Sequence, residues 1–173
     1  MKSFFTQILL VFMLVTSIWS CTVKPSFPDE PKIEFVSISK NIVNVGDTLT
    51  IKLNFEDGDG NLGKDPGLNA NCGLNVCDYT SDTTCFKDPF YGAFLIDMRD
   101  SCFALTNLPN FEPNGKIKAV SGELFLITPP IFCKTGACTT CTQDTLVYRV
   151  VVRDFTQNLS NSVLTDTIYI NCN

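Results

Sequence analysis

Leu49, Ile51, Leu53 and Phe55 alternate with Thr48, Thr50, Lys52 and Asn54, so apolar and polar side chains fall on opposite sides of an extended chain. A period of two is the mark of a β-strand with one face buried and the other wet. Leu146, Tyr148, Val150 and Val152 repeat it against Arg149 and Arg153, and Phe94, Ile96 and Met98 alternate with Leu95, Asp97 and Arg99. Further strands are expected over 33–39, 102–107, 117–128 and 163–171. No segment beyond residue 21 carries the apolar stripe of an amphipathic helix, and Thr, Val, Ile and Phe are abundant where strands are expected. About seven strands around one core predict an all-β fold, an antiparallel β-sandwich.

The N-terminus predicts an address. Met1-Lys2 precedes an apolar run from Ile8 to Val15, which ends in Ser17-Ile18-Trp19-Ser20-Cys21. A positive start, an apolar stretch too short to span a bilayer and a small residue before the cut read as a secretory signal peptide over 1–20. Ile18 and Ser20 ahead of Cys21 resemble the lipobox of bacterial lipoproteins. The resemblance implies that the Cys21 thiol is acylated, palmitate being the typical chain, and becomes the mature N-terminus of a protein anchored to the bacterial outer membrane. Each buried acyl CH2 contributes ~0.8 kcal/mol, so two or three chains hold durably. Residues 21–32, with Pro25, Pro28 and Pro31, read as the lipidated cysteine and a stiff tether, and 33–173 as the domain. The membrane is thus one expected partner, reached through the anchor. A net charge of −5 argues against nucleic acid and anionic lipid surfaces, which need basic patches.

Composition narrows the chemistry. The chain has no histidine, which removes Ser-His-Asp and Cys-His catalysis and zinc sites that need imidazole. The expectation is a protein that is not an enzyme. Asp97, Asp100 and Glu123 could in principle pair as a general acid and base, but nothing in the sequence singles out two of them. Beyond Cys21 stand Cys72, Cys77, Cys85, Cys102, Cys133, Cys138, Cys141 and Cys172. An even set in an exported chain reads as four disulfides of open connectivity. The clusters 72, 77, 85 and 133, 138, 141 are each odd in number, so each must send a bridge outside itself. The bridges are expected to staple two long loops, 57–90 and 129–143. Zinc at Cys133-x4-Cys138-x2-Cys141 is the competing reading, disfavoured by an oxidising compartment.

Glu56-Asp57-Gly58-Asp59-Gly60-Asn61 sets three carboxylates and an amide around two glycines. Calcium takes six to eight hard oxygens from such groups, and glycine lets the chain fold around the ion. Two readings stay open: a structural calcium held by Glu56, Asp57, Asp59, Asn61 and, from the loop after a later strand, Asp154 with Asn158 near it; or a set of tight turns whose side chains cap the backbone.

Val45-Gly46-Asp47-Thr48-Leu49, Phe55 to Gly63, and Val150-Val151-Val152-Arg153-Asp154 with Gln157 to Asn161 together resemble immunoglobulin-like, cadherin-like domains of Bacteroidetes surface lipoproteins. The resemblance spans the first and last parts of the domain and not the cysteine clusters. It implies an immunoglobulin-like sandwich in the cell envelope. Asp47-Thr48-Leu49, Asp82-Thr83-Thr84, Asp144-Thr145-Leu146 and Asp166-Thr167-Ile168 also look like the O-glycosylation triplet of that phylum, or are chance in a Thr-rich chain. The expected function is a non-catalytic domain that contacts an unknown protein or glycan, or acts as a spacer. The alternative is a carbohydrate-binding component of a polysaccharide-uptake system, with ring faces from Phe86, Phe90, Tyr91, Phe103, Phe111 and Phe132.

Overall fold

The alternation read from residues 48–55 becomes a strand whose Ile51, Leu53, Phe55 and Asp57 point inward, while Thr50, Lys52, Asn54 and Glu56 are more exposed. The computed structural model describes residues 26–63, 75–76, 92–106, 108, 118–134 and 142–172. Among these there are eleven strands and no helix: β1 (Lys32–Ile38), β2 (Ile42–Asn44), β3 (Thr50–Asp57), β4 (Asn75–Val76), β5 (Ala93–Asp97), β6 (Phe103–Thr106), β7 (Val120–Ile127), β8 (Gln143–Leu146), β9 (Tyr148–Val152), β10 (Val163–Leu164) and β11 (Ile168–Asn171).

Three sheets result, with orders β1-β3-β7, β10-β9-β5-β6-β4 and β2-β11-β8. All pairings are antiparallel except β2 with β11, which run parallel. One apolar cluster joins them: Ile51, Leu53, Leu124 and Leu126 from the first sheet, Leu95, Val150 and Val152 from the second, Val43, Leu146, Ile168 and Ile170 from the third. Burial of these side chains, each contributing roughly 1.5–3 kcal/mol, holds the layers together.

Two expected strands are each split. The strand expected from Leu146 to Val152 breaks at Val147, leaving Leu146 at the end of β8 and the rest in β9, and 163–171 breaks into β10 and β11. The breaks lie side by side. Buried Thr165 accepts a hydrogen bond from the Tyr148 amide on its hydroxyl at 3.0 Å and donates its own amide to the Tyr148 carbonyl at 2.9 Å. The two segments pass together from one sheet to the next without leaving these backbone groups unpaired.

The expected tether differs as well. Ser26 to Pro31 is not free of the domain: the Gly58 amide donates to the Pro28 carbonyl at 2.8 Å, and Pro31 is buried. The strand begins at Lys32, one residue before the expected boundary.

The domain has two ends. At one, the loop after β3 meets the loop after β9 through a bridge between Leu62 and Asp154. At the other, the segment after β7 (Pro129–Lys134) packs beside the β5–β6 turn and the start of β9. Cys133–Cys172 ties that segment to the end of β11, with Cα atoms 5.9 Å apart, and is the one bridge among the described residues. It leaves the 133, 138, 141 cluster for Cys172, as odd parity requires. Cys21, Cys72, Cys77, Cys85, Cys138 and Cys141 lie outside the described residues, and of the two expected stapled loops the described residues show a bridge at the second. Cys102 stands just before β6.

Candidate functional site

The inward alternation of β3 carries Asp57 into the interior immediately after Phe55. Its side chain is 0 % exposed, and neither carboxylate oxygen has a hydrogen-bond partner of good geometry. Asp59 Oδ1 and Asn61 Oδ1 are likewise buried without a partner. Four orphaned oxygens within five residues is an uncommon arrangement, because a buried acceptor left unsatisfied costs about 1–3 kcal/mol.

The loop is shaped by its glycines. Gly60 and Gly63 adopt φ of +67° and +111°, open to glycine at no steric cost. Gly58 has no room for a side chain: a Cβ there would lie 2.3 Å from the Phe27 carbonyl oxygen and 2.5 Å from that of Pro28. The Asn61 amide donates to Asp59 Oδ2 at 2.6 Å and to Thr156 Oγ1 at 3.1 Å, and the Phe155 amide donates to the Asn61 carbonyl at 3.2 Å. Asn61 thereby stitches the loop after β3 to the loop after β9, with its own oxygen left over.

Asp154 is buried at the same end, where its carboxylate accepts from the Asn158 amide at 2.8 Å and from Asn158 Nδ2 at 2.9 Å. Burial first, then the neighbouring Asp59 carboxyl, pushes the Asp57 carboxyl up to about 7, with the Asp154 charge adding to it and the Leu62 amide partly opposing. The structure thus brings Asp57, Asp59, Asn61 and Asp154 together, with Asn158 bonded to Asp154. It does not bring in Glu56, which the alternation of β3 turns to the opposite face, beside Lys32 and Asn54. Glu56 leaves the expected cation set for that reason.

The donor chemistry fits a hard cation in part. Asp57, Asp59 and Asn61 offer unpartnered oxygens, whereas the Asp154 oxygens are already engaged. Among the described residues no three acidic or cysteine side chains stand grouped as a finished metal cage. A calcium ion here would draw on two carboxylates, the Asn61 amide oxygen and backbone carbonyls, with Asp154 bracing the second loop.

The opposite end carries a different cluster, which sequence reasoning missed as a unit. Arg99 donates to Asp97 through Nε and Nη2, at 3.0 Å and 2.7 Å to one oxygen each, and through Nη1 to Asp144 Oδ2 at 2.7 Å and to the Phe132 carbonyl at 3.1 Å. Lys134 Nζ bonds Asp97 Oδ2 at 2.7 Å and also pairs with Asp100. Burial alone would raise Asp97, but hydrogen bonds from Arg99 and Lys134 outweigh it and hold the carboxyl below its ordinary range. Asp100 is likewise opposed by burial yet drawn down to about 2 by hydrogen bonds from Cys102 and Lys134. Carboxylates held ionised in this way supply no proton donor for acid catalysis. Glu123 is far from them in role, paired with Lys52 at 2.8 Å on the exposed face of β7. The only sequence signal for the cluster was charge at the ends of two strands, which does not reveal a partner.

Of the expected ring faces, Phe103 is buried and Phe132 is exposed, both beside this cluster; Phe86, Phe90, Tyr91 and Phe111 lie outside the described residues. Thr48, Thr145 and Thr167, central in three of the four triplets, are exposed, and Thr83 lies outside the described residues. No family model matches the chain, and no curated protein or solved structure is significantly similar to it.

Proposed function

We propose that the chain is a non-catalytic, lipid-anchored domain of the bacterial cell envelope, an immunoglobulin-like sandwich that acts as a calcium-stiffened spacer and contact module. The observation that carries the reading is Asp57: a fully buried carboxylate whose oxygens have no hydrogen-bond partner of good geometry, beside buried oxygens on Asp59 and Asn61 in the same condition. A divalent cation would satisfy all of them at once. The strand orders β1-β3-β7 and β10-β9-β5-β6, with β2 parallel to β11, support the immunoglobulin-like reading. The docking of Phe27 and Pro28 on Gly58 supports a spacer, because the segment leading from Cys21 meets the domain at the cation loop.

Thermal melts of the full chain in detergent, with calcium added and then chelated, test it. Calcium is expected to raise the melting temperature by several degrees, and Asp57→Asn is expected to raise the calcium-free melt while abolishing the calcium response. A calcium response that survives Asp57→Asn, or none in the wild type, would sink the cation site. The anchor is tested separately: palmitate should label the wild type in cells and not Cys21→Ala.

A further inference from the structure

At the end of the domain away from the cation loop, a cleft of about 380 Å³ opens between the β5–β6 turn, the start of β9 and the segment after β7. That volume falls in the range of small-molecule sites, roughly 300–1,000 Å³. Its walls are apolar, with Phe103 and Tyr148 within, Pro129 and Pro130 along one side, and the Phe132 ring 57 % exposed at the mouth.

The segment that forms one wall has no regular secondary structure, yet it is held at several points. Ile131 donates its amide to the Asp47 carbonyl at 2.9 Å and accepts from the Gly46 amide at 2.8 Å. The Phe132 carbonyl accepts from Arg99, the Lys134 amide bonds Asp144 at 3.0 Å, and Cys133 is tied to Cys172. An irregular loop so restrained presents a preformed surface, which lowers the entropy lost on binding.

The polar edge selects the ligand. Asp97, Asp100 and Asp144 face Arg99 and Lys134, three carboxylates against two cations, each paired with an opposite charge. An anion would meet a net negative edge. A cation would have to compete with Arg99 and Lys134 for carboxylates they already hold. Beyond its one carboxylate charge in excess, such an edge offers hydrogen-bonding capacity: a third N–H on Lys134, spare lone pairs on Asp100, and the Tyr148 hydroxyl. Flat apolar rings beside ion-paired polar groups match a molecule with an apolar face and a rim of hydroxyls.

We propose that this cleft binds a neutral sugar ring, stacked on Phe132 and hydrogen-bonded along the Lys134–Asp100 edge. The inference rests on the domain being a contact module, and it names the glycan as what is contacted. It does not depend on the cation site, which lies at the other end.

Saturation-transfer NMR on the full chain in a sugar-free detergent tests it, with methyl glycosides of glucose, galactose, mannose and N-acetylglucosamine as probes. Glucuronate and a phenylalanine-containing tripeptide serve as the charged and peptide comparisons. At least one neutral glycoside should bind saturably, Phe132→Ala should weaken it about tenfold or more, and Tyr169→Ala, an exposed ring outside the cleft, should leave it unchanged. Absence of glycoside binding, binding indifferent to Phe132→Ala, or preference for glucuronate or the tripeptide would overturn the sugar assignment. In each of those cases an intact calcium-dependent melt would leave the spacer reading standing.

Discussion

Single residues at the end of the domain that carries Asp57 show how narrowly the local backbone is specified. Gly58 is required because the carbonyls of Phe27 and Pro28 lie where its Cβ would be. Gly58→Ala should therefore push the docked segment away, cost about 1–3 kcal/mol and make the bond after Phe27 newly sensitive to protease, with limited proteolysis and a melt as the readouts. Asn161 plays a comparable part on the other flank of β1: its side-chain amide donates to the Ile33 carbonyl and accepts from the Ile33 amide, both at 2.8 Å, standing in for a missing strand residue. Composition announced the acidic loop, but the alternation was read only as far as Phe55; β3 continues it two residues further and turns Asp57 inward. Reading Glu56 as a co-ligand went wrong for the same reason in reverse, because neighbouring residues on a strand point to opposite faces. That Asn61 would serve as the stitch between two loops was not legible, since it depends on Thr156 and Phe155, far away in the chain.

Among the elements, strands with sustained alternation were legible, and so was the four-residue β6 inside the expected 102–107, whereas β2 and β8 were not. β3, β5, β7 and β9 fall where the pattern puts them. β2 has three residues with only Val43 buried, too few to establish a period, and it exists because β11 offers it a parallel edge. β8 spans the gap between the expected loop, which ends at 143, and the strand expected from Leu146, since Gln143, Asp144 and Thr145 carry no apolar alternation of their own. The splits of the last two long strands were also hidden, because Thr165 looks like any strand threonine until its hydroxyl is found replacing a ladder bond. At this scale the Cys133–Cys172 bridge has a measurable consequence. Replacing both cysteines by alanine should lower stability by roughly 2–4 kcal/mol in chemical denaturation. It should also loosen the segment after β7, so amide exchange at Ile131 and Lys134 should rise more than in β3. Equal protection in both places would show that the hydrogen bonds to Gly46, Asp47 and Asp144 suffice without the staple.

Taken whole, the molecule responds to pH in opposite senses at its two ends. The Asp57 carboxyl sits above its unfolded value, so the stability linked to its proton is complete below about pH 4 and fades as pH rises towards about 7. Asp97, Asp100 and Asp144 sit below theirs, so the stability linked to their charge is present above about pH 4 and fades as pH falls towards about 2. Calcium-free protein should accordingly melt highest near pH 4–5, and calcium should extend that plateau to neutral pH; a calcium-free melt that climbs steadily from pH 4 to 7 would contradict the burial of a protonated Asp57.

The parallel pairing of β2 with β11 also bears on how the domain carries force. The chain enters β1 at the Asp57 end and runs through β2 away from it, and β11 runs the same way to finish beside Cys133. A pull between the segment before β1 and the end of β11 would therefore slide the two strands along one another and strain their hydrogen bonds together, not peel them apart in turn. Parting them requires several bonds to fail at once, which suits the proposed placement of the domain between a membrane anchor and a bound surface.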